Sequence, residues 1–115
     1  MLVGIGCDVT HISKFKNKNE SFIDKILTKN EKNIYNKRCG KKKLEFLAGH
    51  FSAKESIIKA LASEIKLTFQ DIDIFYNNDV PSVKIEPYEI CISISHDKDI
   101  VVTNAFISKK WLYIE

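Results

Sequence analysis

The stretch from about Leu44 to Ser63 constrains this chain more than any other. Leu44, Leu47, Ala48, Phe51, Ile58 and Leu61 recur there at helical spacing and mark one apolar stripe. A helix of that length is the natural centrepiece of a core. The 115 residues, 44% of them hydrophobic, suffice for one ordinary domain over 1–115 and are too few for two. A domain of this size hides only about two-thirds of the surface its unfolded chain exposes, so a subunit interface would add useful burial.

Strands are expected on both sides of the helices. Leu2 to Val9 alternates, with Leu2, Gly4, Gly6 and Asp8 on one face and Val3, Ile5, Cys7 and Val9 on the other. The first face carries two glycines and a carboxylate, so another backbone or a ligand can approach the strand beside Asp8. From Ser21, Phe22, Ile23, Ile26 and Leu27 are helically spaced, and Thr28 with Glu31 is a capping box opening a second helical stretch that ends near Cys39-Gly40. After Phe69 the period becomes two. Ile72 to Tyr76, Val83 to Ile85, Glu89 to His96 and Ile100 to Ile107 read as strands, the last two forming a hairpin with His96 at its mouth. The order predicts an α+β domain, with helices packed on one face of a mainly antiparallel sheet.

The longest apolar stretches fall far short of the roughly 20 residues a membrane helix needs. No basic region precedes the first of them, and Asp8 interrupts it, so the expected location is cytoplasmic, with no membrane partner. Cys7, Cys39 and Cys91 fit neither a disulfide framework nor a CxxC metal pair, and read as reduced thiols, two of them packed in strands.

Charge is divided unevenly. Residues 1 to 66 hold 14 Lys or Arg against 7 Asp or Glu, and residues 67 to 115 hold 4 against 8. The basic half is a candidate docking face for an anionic partner or a phosphate-bearing ligand. Arg38 is the only arginine among 18 basic residues, which disfavours sequence-specific DNA binding and leaves nucleic acid out of the expected partners.

Glu55 and Lys59 share a helix face, either as an ordinary i, i+4 pair or as parts of a site in which Glu55 meets Asp8. Two carboxylates without a Cys or His ligand pair favour a hard cation such as Mg²⁺, which combines one or two carboxylates with phosphates and waters. Lys59 could then neutralise a phosphate oxygen. Ser95 and His96 point to opposite faces of a strand and cannot form a hydrolase triad, so His96 reads better as a phosphate hydrogen-bond donor.

Several motifs occur in a set order: Gly4-Ile5-Gly6-Cys7-Asp8-Val9; Ile26-Leu27-Thr28 with Glu31 and Tyr35; and the run from Phe46 through Lys54-Glu55 and Lys59-Ala60 to Leu61. Phe69 to Ile74, Pro81 and Ile92-Ser93-Ile94-Ser95-His96 complete the series. Together they resemble holo-acyl-carrier-protein synthase, the small bacterial type of 4′-phosphopantetheinyl transferase. The resemblance implies the fold of that family and an Mg²⁺-dependent transfer of 4′-phosphopantetheine from coenzyme A to a serine of an acidic apo-acyl carrier protein, releasing adenosine 3′,5′-bisphosphate and serving fatty acid biosynthesis.

Carried over residue by residue, the resemblance makes Asp8 and Glu55 the metal ligands. Glu55, Lys59 and His96 become the catalytic groups, with Glu55 as candidate base for the serine. Lys54, Lys59, His96 and His50 become coenzyme A contacts. It also implies a homotrimer with sites between subunits. Lys14, Lys16, Lys18 and Lys25 are the candidate carrier-protein contacts. The chain departs from the family pattern in three places: Lys14 and His50 stand where Arg is usual, and Ala62-Ser63-Glu64 shortens a glycine-containing turn. Weaker binding of coenzyme A is expected from these changes. Two other readings stay open, a metal-dependent nucleotide diphosphate hydrolase and a non-catalytic basic module that binds RNA or another polyanion.

Overall fold

The computed structural model of the chain describes residues 1–110. Strand β1 (Leu2–His11) leads through a 3-10 turn (Ile12–Phe15) into helices α1 (Glu20–Ile26), α2 (Lys29–Lys37) and α3 (Gly40–Ala60). A second 3-10 turn (Phe69–Asp71) precedes a short hairpin of β2 (Phe75–Asn77) and β3 (Val80–Ser82). A long hairpin of β4 (Tyr88–Asp97) and β5 (Ile100–Lys109) follows. As the pattern predicts, the architecture is α+β and antiparallel: β5 lies between β1 and β4, and α3 packs across that three-stranded sheet. β2 and β3 form a separate two-stranded sheet.

Side-chain caps set the helix starts. Asn19 Oδ1 accepts from the Phe22 amide at 2.9 Å and opens α1. Thr28 and Glu31 form the expected capping box at α2, with the Thr28 amide donating to Glu31 Oε1 at 2.8 Å. Helix α3 begins at Gly40 rather than Leu44 and ends at Ala60 rather than Ser63. Gly40, at φ 60°, turns the chain out of α2, and Lys41 to Lys43 are good helix formers that extend the first turn. At the other end the amides of Glu64 and Ile65 both donate to the Leu61 carbonyl and close a turn. The buried surface of α3 is wider than one apolar stripe: Ala53, Ile57, Ser52, Lys54 and Ser56 are all enclosed.

Gly4 and Gly6 explain how the helix sits so close. A Cβ on Gly4 would lie 1.8 Å from Ala60 O, and one on Gly6 1.8 Å from Ser56 O. The glycine face of β1 is therefore filled by the backbone of α3 and is not left open for a ligand, although Asp8, next in phase, stays at the margin of this contact.

Other strand expectations shift. Ile72 to Ile74 do not join a ladder, because the Ile74 amide donates to buried Glu31 Oε2 at 2.6 Å, and pairing begins only at Phe75. Asn78 and Asp79, both at positive φ (52° and 66°), make a two-residue turn that sets Asn77 opposite Val80. The partner strand is consequently Val80–Ser82 and not Val83 to Ile85. Cys7 and Cys91 lie in strands but are exposed, not packed, because their side chains point away from α3.

The β1–α3 contact leads to a direct expectation. Gly6→Ala pushes a methyl into a helix carbonyl that cannot move without moving α3, and it lowers stability by at least about 2 kcal/mol. Urea denaturation of the variant beside the parent chain measures this.

Candidate active site

Asp8 is held by two elements besides its own strand. Across the sheet it pairs with Thr103 of β5. From α3, Ser52 Oγ donates to Asp8 Oδ2 at 2.7 Å, and Lys59 Nζ donates to Asp8 Oδ1 at 3.3 Å and to the Cys7 carbonyl at 3.1 Å. Behind them Thr103 Oγ1 donates to Ser52 O at 2.9 Å and lies 2.6 Å from Ser56 Oγ, a buried hydroxyl cluster that locks strand and helix together. Ser52, Glu55, Ser56 and Lys59 recur at i, i+3, i+4 and i+7, which sets half-buried Glu55 between the two side chains that hold Asp8. Lys59 pairs with Asp8 and not with Glu55, so the ordinary i, i+4 ion pair is not what this structure forms.

These donors suit a hard divalent cation. Among the described residues no group of three or more His, Cys, Asp or Glu side chains could hold a metal ion, so a cation at Asp8 and Glu55 would take at most two ligands of those types from one chain. Ser52 orients one oxygen of Asp8, while the other faces only the half-exposed Lys59 ammonium, which can swing aside. Two carboxylates with the remaining positions left to phosphate and water are what Mg²⁺ requires.

Lys54 was expected to contact the cofactor, and its geometry contradicts that. Its side chain is fully buried, and Nζ donates to Glu31 Oε1 at 2.6 Å, Ile26 O at 2.8 Å and Phe69 O at 3.1 Å. All three donors are spent inside the protein. Burial pulls the Lys54 ammonium below the usual lysine value, and the bond to Glu31 opposes the shift.

The two histidines lie elsewhere, in a cleft of about 740 Å³ lined in part by Arg38, Lys42, Phe46, His50, Tyr76 and His96. His50 is enclosed and stacked on Phe46 with ring centroids 3.9 Å apart. The Phe46 carbonyl can only accept, so His50 Nδ1, 2.9 Å away, carries the proton and Nε2 is left as an acceptor facing the Tyr76 hydroxyl at 3.4 Å. Burial, outweighing that hydrogen bond, lowers the His50 pKa to about 4. Position 50 therefore presents a neutral ring to the cleft. His96 is exposed, with Nδ1 4.0 Å from Glu45 Oε2.

Within one chain the cleft and Asp8 do not meet. Five residues of helix turn His50 about 140° away from Glu55. His96 lies two strands from β1, about 10 Å across the sheet. The basic residues are at the surface: Lys14 Nζ lies 5.9 Å above the Phe51 ring, Lys18 Nζ 4.9 Å above Phe22, and Lys16 and Lys25 are exposed. Asp99 at the tip of the β4–β5 hairpin accepts from the Ser13 amide at 2.9 Å and from Ser13 Oγ at 2.7 Å, tying down the segment that carries Lys14.

A family model described as the 4′-phosphopantetheinyl transferase superfamily matches residues 4–107, a span that takes in both the Asp8 constellation and the cleft. The chain belongs to this superfamily. It is 42% identical over 114 residues to a holo-[acyl-carrier-protein] synthase of Limosilactobacillus reuteri, with 93% of this chain and 97% of that protein covered. A synthase of the same name from Geobacillus sp. (strain WCH70) is 36% identical over 117 residues, covering 95% of this chain and 98% of that protein. Among solved structures, a holo-(acyl-carrier-protein) synthase of Bacillus anthracis in complex with CoA (3′,5′-ADP) matches with a TM-score of 0.87 at 31% identity, over 96% of this chain and 99% of that one. The α+β architecture described above is the fold of this superfamily.

Sequence reasoning missed Ser52 and Thr103, which orient Asp8, and Arg38, Lys42 and Tyr76 in the cleft. Ser52 was recoverable, since it stands three residues before Glu55 on the same face. Tyr76 was not, because its place depends on the β2–β3 hairpin.

The lowered pKa of His50 makes stability depend on pH in a defined direction. Between about 6.5 and about 4 the unfolded chain binds a proton at position 50 that the folded chain does not, so stability falls as pH drops through this window and the His50 contribution levels off below it. The loss attributable to His50 is about 3 kcal/mol. Denaturation curves at pH 7 and pH 4 should show a larger drop for the parent chain than for His50→Gln.

Proposed function

We propose that this chain transfers 4′-phosphopantetheine from coenzyme A to a serine hydroxyl of apo-acyl carrier protein, giving holo-acyl carrier protein and adenosine 3′,5′-bisphosphate. The observation that carries the reading is the held carboxylate of Asp8, oriented by Ser52 and neutralised by Lys59 on the helix face that also bears Glu55. Residues 1–115 act as a single phosphopantetheinyl transferase domain in the cytoplasm. No helix among the described residues is long and apolar enough to cross a membrane.

Asp8 and Glu55 would hold Mg²⁺, which when bound supplies positive charge against the diphosphate of coenzyme A. The serine Oγ bonds to the phosphorus that carries pantetheine, the bridging P–O bond to the adenosine side breaks, and the serine proton passes to Glu55, directly or through water. Lys59, half-exposed and one helical turn past Glu55, releases Asp8 and turns its ammonium to the leaving phosphate, where negative charge accumulates. His96 contacts the coenzyme A phosphates, and neutral His50 contributes through its ring and Nε2 and not through charge.

Because cleft and carboxylates are separate in one chain, the reading places the complete site between two copies of a homotrimer. The outer face of the sheet supports this: Ile5 and Phe106, paired across β1 and β5, are 58% and 50% exposed, and Val9 is 64% exposed. The acidic carrier protein, and not a nucleic acid, is the polyanion that docks on Lys14, Lys16, Lys18 and Lys25.

Intact-mass spectrometry of apo-acyl carrier protein incubated with this protein, coenzyme A and Mg²⁺ tests the reading. A gain of one phosphopantetheine, abolished by a chelator and by Glu55→Gln, is expected; full turnover by Glu55→Gln would remove Glu55 from the site. Lys14→Glu should raise the KM for carrier protein about tenfold or less, with little change for coenzyme A, because one exposed charge pair is worth about 1 kcal/mol or below. Steady-state titration of each substrate separates the two effects.

A further inference from the structure

The chain contains one arginine, and the fold brings it to the cleft. Arg38 caps the C-terminus of α2, where its amide donates to the Tyr35 carbonyl at 3.0 Å, and its side chain is left at the surface. The guanidinium lies 5.5 Å above the ring of Phe46, on which the imidazole of His50 is also stacked. Arg38, Phe46 and His50 thus form one wall, cationic at its outer end and neutral at its inner end.

No acid among the described residues pairs with that guanidinium. Glu45, which also lines the cleft, lies 3.9 Å from Lys41 Nζ and 4.0 Å from His96 Nδ1, and among the described residues no carboxylate forms an ion pair with Arg38. An arginine backed by an aromatic face and free of carboxylates keeps its planar fork available for a phosphate. Lys42, on the same cleft, adds a second positive charge.

We infer that Arg38 is the residue that binds the 3′-phosphate of coenzyme A, supplying from the end of α2 the guanidinium that position 50 lacks. The inference rests on the function proposed above. Coenzyme A carries two kinds of phosphate. Its diphosphate must reach Asp8, Glu55 and Lys59 for the bond to be exchanged. The 3′-phosphate is a monoester carrying close to two negative charges and takes no part in the exchange, so it matches a bidentate guanidinium with a lysine beside it. The cations of the cleft, Arg38 and Lys42, are thus assigned to the group that is not exchanged, and Lys59, beside Asp8, to the group that is.

Two small ligands isolate the contact. Adenosine 3′,5′-bisphosphate and adenosine 5′-monophosphate differ only by the 3′-phosphate, and calorimetric titration of both reads binding without catalysis. The parent chain should favour the bisphosphate by about tenfold or more, the size of a charge-assisted bidentate contact. In Arg38→Ala this preference should shrink about tenfold, and Arg38→Lys, which keeps the charge but not the fork, should recover part of it. Unchanged melting temperatures would show that the fold is intact.

An unaltered preference in Arg38→Ala, an equal loss for both ligands, or no preference in the parent chain overturns the inference. The function proposed above is checked separately by mass gain on the carrier protein. Transfer by the parent chain with an unaltered preference in the variant removes Arg38 alone, whereas absence of both transfer and bisphosphate binding removes that function and this contact together.

Discussion

Contact between the backbones of β1 and α3 is the constraint on which the remainder of the structure depends. Any side chain at Gly4 or Gly6 would collide with helix carbonyls, so this strand can lie against this helix only with glycine at both places. Close approach has a chemical consequence two residues later. Asp8 is in phase with the glycines, and at that separation Ser52 and Lys59 reach it across the groove. The carboxylate at the candidate centre is therefore oriented by the same packing that builds the core. Thr103, opposite Asp8 on β5, binds the helix from the sheet side, so three elements fix one side chain.

A second polar centre organises the opposite side of α3. Glu31 receives hydrogen bonds from the Thr28 and Ile74 amides and from Lys54 Nζ, and Lys54 reaches on to the carbonyls of Ile26 and Phe69. This pair joins the end of α1, the start of α2, the middle of α3 and the approach to β2. Burying two charges costs several kcal/mol per ion before their attraction and hydrogen bonds offset it, so the pair contributes specificity of arrangement more than net stability. It also explains why Lys54 and Glu55, adjacent in sequence, have unrelated roles: a helix turns about 100° per residue, which sends one inward to Glu31 and leaves the other at the groove.

The legible parts were those that depend on local chemistry. The capping box at Thr28, the alternation in β1, the long β4–β5 hairpin and the face shared by Glu55 and Lys59 are all written in spacings of two to four residues. What failed depended on distant partners. Ile72 to Ile74 has the alternation of a strand, but Glu31, 43 residues from Ile74, claims the amide a ladder needs. Lys54 was carried over by resemblance as a cofactor contact, and its burial is set by α1 and the Phe69 turn, which its own sequence does not show. The glycine face signalled the close approach of a backbone or a ligand, and that the backbone is α3 follows only from the fold. His50 could be recognised as a departure from the family pattern, whereas its neutrality follows only from its enclosure by the fold.

The division of α3 into two chemical ends bears on assembly. Its first half, with Lys42, Phe46 and His50, forms the cleft with the β2–β3 hairpin and His96, and its second half, with Ser52, Glu55 and Lys59, faces β1 and Asp8. On the proposed reading, one coenzyme A does not use both ends of a single straight helix about 30 Å long with its faces turned apart. It can use the second half of one copy and the first half of another. A contact of that kind joins unlike surfaces, and repeated around a closed ring it produces cyclic symmetry and not a two-fold pair. The exposed Ile5, Val9 and Phe106 lie on the face of the sheet turned away from α3, so copies joined through it bury apolar surface while leaving the groove beside Asp8 open to substrate. The same packing covers one face of β1 with α3 and leaves bare the other, which is the surface the proposed trimer would bury.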